Sequence, residues 1–288
     1  MIRRLVRFGG LAAICGMLLQ SCAFFAGKPP LPKQASIERL PRPATETDFA
    51  AEVQNADIIY FPTERAASGA RSEPAALLLE ALDKTQKPYA IGWDMIYASQ
   101  QPLLDQLETA TGGAREQLIS QLDLVASGRA REHCRAVLRE TRAPGVQYLA
   151  LRCPLEIVSK VSSGERLVGD EERFLPHGYN APSGGFDAYV SRIGGGNSAD
   201  PRLAQSYRAE LVRLEFAAEK IVRAFRVGGK ESKLLVFAST DDLDSEGGLP
   251  YFVMQQANAR QLVLGSNRRE RPKLLTQLNP HIGAASKS

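Results

Sequence analysis

Histidine is scarce in this chain: three residues, His133, His177 and His281, in 288. A zinc hydrolase or a histidine-assisted nucleophile needs imidazoles gathered at one place, and these three fall on a helix-patterned stretch, in a long loop and in the C-terminal tail. No Ser or Cys stands in a nucleophile-elbow context, no glycine-rich phosphate loop follows a strand pattern, and there is no Cys-x-x-Cys. There is also no apolar run long enough to span a bilayer as a helix; the longest, GGLAAICGMLL, falls well short.

What precedes and follows that run gives it a meaning. MIRRLVRF is basic, the apolar run comes next, and Leu-Gln-Ser-Cys ends at Cys22. This resembles a bacterial lipoprotein signal. The resemblance implies cleavage after Ser21, a signal peptide at 1–21, and acylation of Cys22, including palmitate. The chain is then anchored to a membrane of the cell envelope, since two or more acyl chains hold where one does not. Ala23 after the Cys is the pattern of export to the outer membrane in a Gram-negative cell. Loss of Arg3, Arg4 and Arg7 lowers Lys+Arg from 36 to 33 against 32 acids. A net charge of +1 carries no electrostatic argument for nucleic acid.

Of the other cysteines, Cys15 leaves with the signal, and Cys134 and Cys153 remain. Helix and strand rises put Cys134 about 12 Å back from the turn at Ala143-Pro144-Gly145. Cys153 comes about 20 Å beyond it. That is too far for a disulfide, so two free, buried thiols are expected.

Residues 22–46 hold Pro29, Pro30, Pro32, Pro41 and Pro43 and read as an extended tether. From 47 to 266 apolar runs alternate with helix-period segments, the mark of an α/β domain with a mostly parallel central sheet flanked by helices. About five strands are expected: Ile58–Phe61, Tyr89–Trp93, Val146–Leu151, Leu234–Ala238 and Gln261–Leu264. Gly164 to Asp200 is too long and too rich in Gly, Pro and aromatics for a connector, and reads as a lid-like insertion. Ser239 to Gly247 reads as an acidic exit loop, and 267–288 as a flexible tail.

Ligands of open parallel sheets sit beyond the carboxyl ends of the strands. Four strands end there in polar residues: Thr63-Glu64-Arg65, Asp94, Arg152, and Ser239-Thr240-Asp241-Asp242. Glu64, Asp94 and Asp242 are the candidates to shape and charge a crevice under the lid, and Arg152 to hold an anionic group. The same carboxylates, Glu64, Asp94, Asp241 and Asp242, are an alternative set of oxygen ligands for a hard cation. The bland reading is that these charges are solvated or pair with one another to hold loops.

The order of elements resembles the ChaN-like family of haem-binding uptake lipoproteins in the Tiki superfamily over roughly residues 48–264. The likeness rests on ADIIYF with a Glu-containing loop, PYAIGWDMI, GVQYLALRCPLEIVSKV, a long helix, and KLLVFAS followed by DDLDSEGGLPYFV. Where the family has Gly-Glu-x-His, this chain has Thr63-Glu64-Arg65-Ala66. Asp94-Met95 stands for Glu-Met, and Ser239-Thr240-Asp241-Asp242 has an acid where a His is usual. The resemblance implies a ligand-binding lipoprotein, with haem as the candidate ligand, His177, Tyr179 and also Tyr207 as candidate axial ligands, and Arg152 as a propionate partner. It further implies a role in iron uptake and an envelope protein as a candidate partner. Catalysis is not expected, because the histidine ligands of Tiki-type hydrolysis are missing. A hydrolase with altered carboxylate ligands, and a structural pseudo-enzyme with a filled crevice, are the alternatives.

Overall fold

Each of the five apolar runs forms a strand, and a sixth strand lies where none was expected. The computed structural model describes residues 36–40, 46–63, 73–125, 128–141, 146–175, 184–193, 200–229, 232–244 and 247–264. Its strands are β1 (Ser36–Leu40), β2 (Ile58–Pro62), β3 (Tyr89–Tyr97), β4 (Gln147–Arg152), β5 (Lys233–Ala238) and β6 (Arg260–Leu264). All neighbouring pairs are parallel, in the order β1-β6-β2-β5-β3-β4. The sheet therefore has six strands, not about five. The extra one, Ser-Ile-Glu-Arg-Leu, lies within the segment read as a tether. At a sheet edge it needs only β6 as neighbour, so Glu38 and Arg39 are tolerated and the apolar signal is weak.

The helices are α1 (Glu46–Asn55), α2 (Glu73–Lys84), α3 (Gln101–Leu107), α4 (Gly112–Gln121), α5 (Gly128–Glu140), α6 (Leu155–Ser163), α7 (Gly185–Arg192), α8 (Pro201–Gly228), α9 (Thr240–Asp244) and α10 (Leu249–Met254). β2 and β5 are buried along their whole length, because helices cover both faces. On one face Ile59, Ile91 and Leu235 meet Leu78 and Leu82 of α2 and Val137 and Leu138 of α5. On the other, Ile58, Tyr60 and Val236 meet Leu214, Ala218 and Ile221 of α8 and Phe252 of α10. Register sets Phe61 and Trp93 on either side of Phe237. Trp93 stacks on Phe237 at 4.3 Å and 8°, and the His133 ring lies 6.3 Å from Phe61. His133 is thus a buried core residue on the α5 side, its imidazole kept below its ordinary pKa by burial.

Two local corrections bear on the site. The acidic stretch after β5 is helical: Ser239 accepts the N–H of Asp242 on both its backbone oxygen and Oγ, each at 3.1 Å, and starts α9. The insertion between α6 and α8 is also partly helical, with a 3-10 turn at Gly169–Phe174 and α7. α8 itself, about 42 Å long at helical rise, is capped by Asp200, which accepts the N–H of Arg202 at 2.9 Å with Pro201 following. Among the described residues no helix is long and apolar enough to cross a membrane. The signal, Cys22 and the tail lie outside the described residues. Cys134 and Cys153 are free and buried, as expected.

Candidate functional site

β3 runs on past Trp93 to Tyr97, so Asp94 is a strand residue on the α8 side of the sheet and only 3% exposed. α9 turns Asp242 inward to 4% exposure from the adjacent strand end. Between them α8 inserts Arg213. Its Nη1 donates to Asp94 Oδ2 at 3.2 Å and to Asp242 Oδ2 at 3.0 Å, while Nη2 donates to Asp242 Oδ1. Its Nε and Nη2 also donate to Glu210 Oε2 and Oε1 at 3.1 and 3.0 Å, one turn earlier on the same helix. Glu210 Oε1 in turn accepts from Arg192 of α7 at 2.9 Å. Arg152, at the end of β4, donates to the Asp94 carbonyl at 3.2 Å and sits 3.7 Å from Asp94 Oδ2.

Two buried carboxyl groups meeting at one guanidinium nitrogen cannot both ionise at ordinary cost. Burial drives the Asp94 pKa up to about 7, against the pull of Arg213 and with the repulsion of Asp242 adding to it. Burial also works against Asp242, yet Arg213 and the hydrogen bonds from Arg213, Ser239 and protonated Asp94 hold it below the usual carboxylate range. The pair therefore divides the roles: Asp242 is the anion facing Arg213, and Asp94 carries a proton near neutrality. Asp94 Oδ1 is buried with no hydrogen-bond partner among the described residues.

Of the residues singled out from the sequence, the structure brings Asp94, Arg152 and Asp242 together. Asp241 is exposed and takes no part. Glu64, His177 and Tyr179 lie outside the described residues. The expected oxygen-ligand set is thus corrected: Asp241 and Asp242 point to different environments, and a guanidinium already stands between Asp94 and Asp242. Among the described residues no three His, Cys, Asp or Glu side chains converge as a metal site.

Arg213 and Glu210 went unnoticed in the sequence. Their signal was there, since Glu210 and Arg213 sit at one-turn spacing on the same side as Leu214 and Ala217, interrupting an otherwise apolar stripe. One further turn back lies Tyr207. Phe186 and Tyr189 of α7 pack on its ring at 5.5 and 5.4 Å, and Arg192 lies 5.5 Å over the Tyr189 ring. The Tyr207 hydroxyl is buried with no hydrogen-bond partner among the described residues, and burial raises its pKa. An aromatic wall with one unpartnered phenol thus adjoins the ion cluster through Glu210 and Arg192.

The sequence matches the family described as haem-binding uptake, Tiki superfamily, ChaN over residues 49–253. Among solved structures, one described as cofacial heme binding to ChaN of Campylobacter jejuni superposes with a TM-score of 0.53 at 13% identity. It covers 75% of this chain and 84% of that one. A bacterial protein toxin (TM-score 0.41, 11% identity, 79% of this chain and 38% of that one) is a more distant likeness. So is a mutant erythromycin esterase, EreC, in its open conformation (0.41, 12%, 78% and 74%). No curated protein matches the sequence. With the match spanning most of the α/β domain, the chain belongs to the haem-binding uptake family of the Tiki superfamily, the ChaN family.

Proposed function

We propose that this protein binds haem without chemistry, in the crevice between α7 and the carboxyl edge of the sheet. The observation that carries the reading is the Tyr207 hydroxyl: a buried phenol without a partner, walled by Phe186 and Tyr189. An orphaned buried hydroxyl costs about 1–3 kcal/mol, which a ligand atom would recover. Haem supplies an iron that takes an axial oxygen or nitrogen, and Tyr207, His177 or Tyr179 would provide it. Arg152 and Arg192, both partly exposed, would hold the propionates. Asp94 and Asp242 stay engaged with Arg213, which supports binding over hydrolysis.

The same proposal includes a lipid anchor at Cys22, an outer-membrane location and a place in iron uptake, supported by the signal-like N-terminus. Palmitate labelling of the wild type and of Cys22→Ser tests the anchor. Titration of the protein with haem, followed at the Soret band, tests the site. Saturable binding is expected, with Tyr207→Phe, His177→Ala or Tyr179→Ala abolishing it or changing the spectrum. Absence of saturable binding, or three variants with the wild-type affinity and spectrum, would overturn the reading.

A further inference from the structure

α7 lies against Tyr207 with little to hold it there. Of its eight residues only Val190 is buried. Phe186 and Tyr189 pack on the Tyr207 ring at 5.5 and 5.4 Å, and Arg192 Nη2 pairs with Glu210 Oε1 of α8 at 2.9 Å, both side chains partly open to solvent. A helix of this length is not stable alone in water, so its order depends on that docking. The Tyr207 hydroxyl beneath is closed to solvent, with no hydrogen-bond partner among the described residues. A ligand reaches it only after a neighbouring element moves. α10, whose Tyr251 also acts on the phenol, buries four of its six residues, so α7 is the element that can lift.

Glu210 sits between two unequal cations. Arg213 Nε and Nη2 donate to it at 3.1 and 3.0 Å, and Arg213 is fixed in turn by Asp94 and Asp242. Parted from Arg192, Glu210 still faces a buried guanidinium. Arg192, on the exposed side of α7, is then left with a guanidinium to offer, and a ligand carboxylate replaces the lost contact one for one. A ligand that binds the lifted helix better than the docked one shifts α7 toward the lifted state.

We propose that the Arg192–Glu210 pair is a latch that holds α7 closed over Tyr207, and that a ligand carboxylate opens it by taking Arg192 from Glu210. The inference rests on the haem reading above for the ligand, whose propionates are the carboxylates. The test compares wild type, Glu210→Gln and Arg192→Gln as full chains. Without ligand, hydrogen exchange is read at the amides of Ala188 and Ile193, which donate to the carbonyls of Gly184 and Tyr189 at 3.0 and 3.1 Å. With ligand, stopped-flow mixing at the Soret band gives association rates for haem and for haem dimethyl ester, which lacks free carboxylates. Both variants should exchange about fivefold faster than wild type, since each removes the pair. Wild type should take up haem faster than the ester. Only Glu210→Gln should take up haem faster still, because it keeps Arg192 for the carboxylate, whereas Arg192→Gln should take up haem no faster than the ester. Unchanged exchange in both variants, or haem association that responds alike to the two, would overturn the latch. Failure of the wild type to bind haem saturably would overturn the haem reading instead, and exchange would still decide the latch.

Discussion

Asp94 makes stability depend on pH in a direction opposite to that of a carboxylate held ionised by a salt bridge. Its ordinary pKa is 3.8, and in the folded protein burial drives it to about 7. A carboxyl with a raised folded pKa contributes its full stability below 3.8, where both states are protonated. It loses that contribution as pH climbs to 7, because only the unfolded state gives up its proton. At about 1.36 kcal/mol per unit, the loss over that window is about 4 kcal/mol. Asp242, lowered in the fold, acts the other way, but its window lies below 3.8, outside this range. The groups facing Asp94 from the neighbouring elements are the guanidinium groups of Arg152 and Arg213 and the carboxyl of Asp242. In Asp94→Asn the amide still accepts from Arg213 and does not titrate. Urea unfolding at pH 4.5, 5.5, 6.5 and 7.5 should therefore show the variant gaining on the wild type by about 3 kcal/mol across the series, with the change complete near pH 7. Parallel stability curves for the two proteins would refute the assignment of the shared proton.

Other outcomes follow from the same contacts. Arg213→Met leaves Asp242 buried without its cation, while Glu210 keeps Arg192, and should cost about 3–5 kcal/mol in urea unfolding at neutral pH; Arg213→Met/Asp242→Leu should recover part of it. Gly92 faces Leu151 so closely that an added Cβ would lie 2.6 Å from its Cδ1. Gly92→Ala should cost about 1–3 kcal/mol, with Leu151→Val on the same chain reducing the loss. Burial drives the Cys153 thiol to about 12 and the Cys134 thiol higher still. Neither should react with a thiol reagent in the native protein at pH 8, and both should react fully in denaturant.

Apolar runs of five or six residues bounded by turn signals located β2 to β6, because these strands are buried and their composition says so. β1 escaped because an edge strand with one neighbour needs little apolar side-chain area, and α9 because a five-residue helix has no period to detect. At the site, Asp94, Arg152 and Asp242 were legible from their place at strand ends alone. Arg213 shows in the sequence only as a polar break in the α8 stripe, and its partners do not show: it meets Asp94 and Asp242 from 119 and 29 residues away, and only the docking of α8 on the sheet brings them within reach. Tyr207 was named as a loose candidate, but its orphaned hydroxyl depends on α7, whose Gly-rich surroundings read as loop.

The strand order has a consequence for how the chain is completed. β2, in the middle of the sheet, pairs only with β5 and β6, and β3 pairs with β4 and β5. No strand synthesised before residue 233 can therefore give β2 a neighbour, and β1 waits for β6. A nascent chain of some 230 residues holds the fully buried strand β2 without a partner, so the last thirty residues of the domain act as the keystone. Until they arrive only β3 and β4 can pair, and a truncation ahead of β5 would leave β1 and β2 with no strand to join.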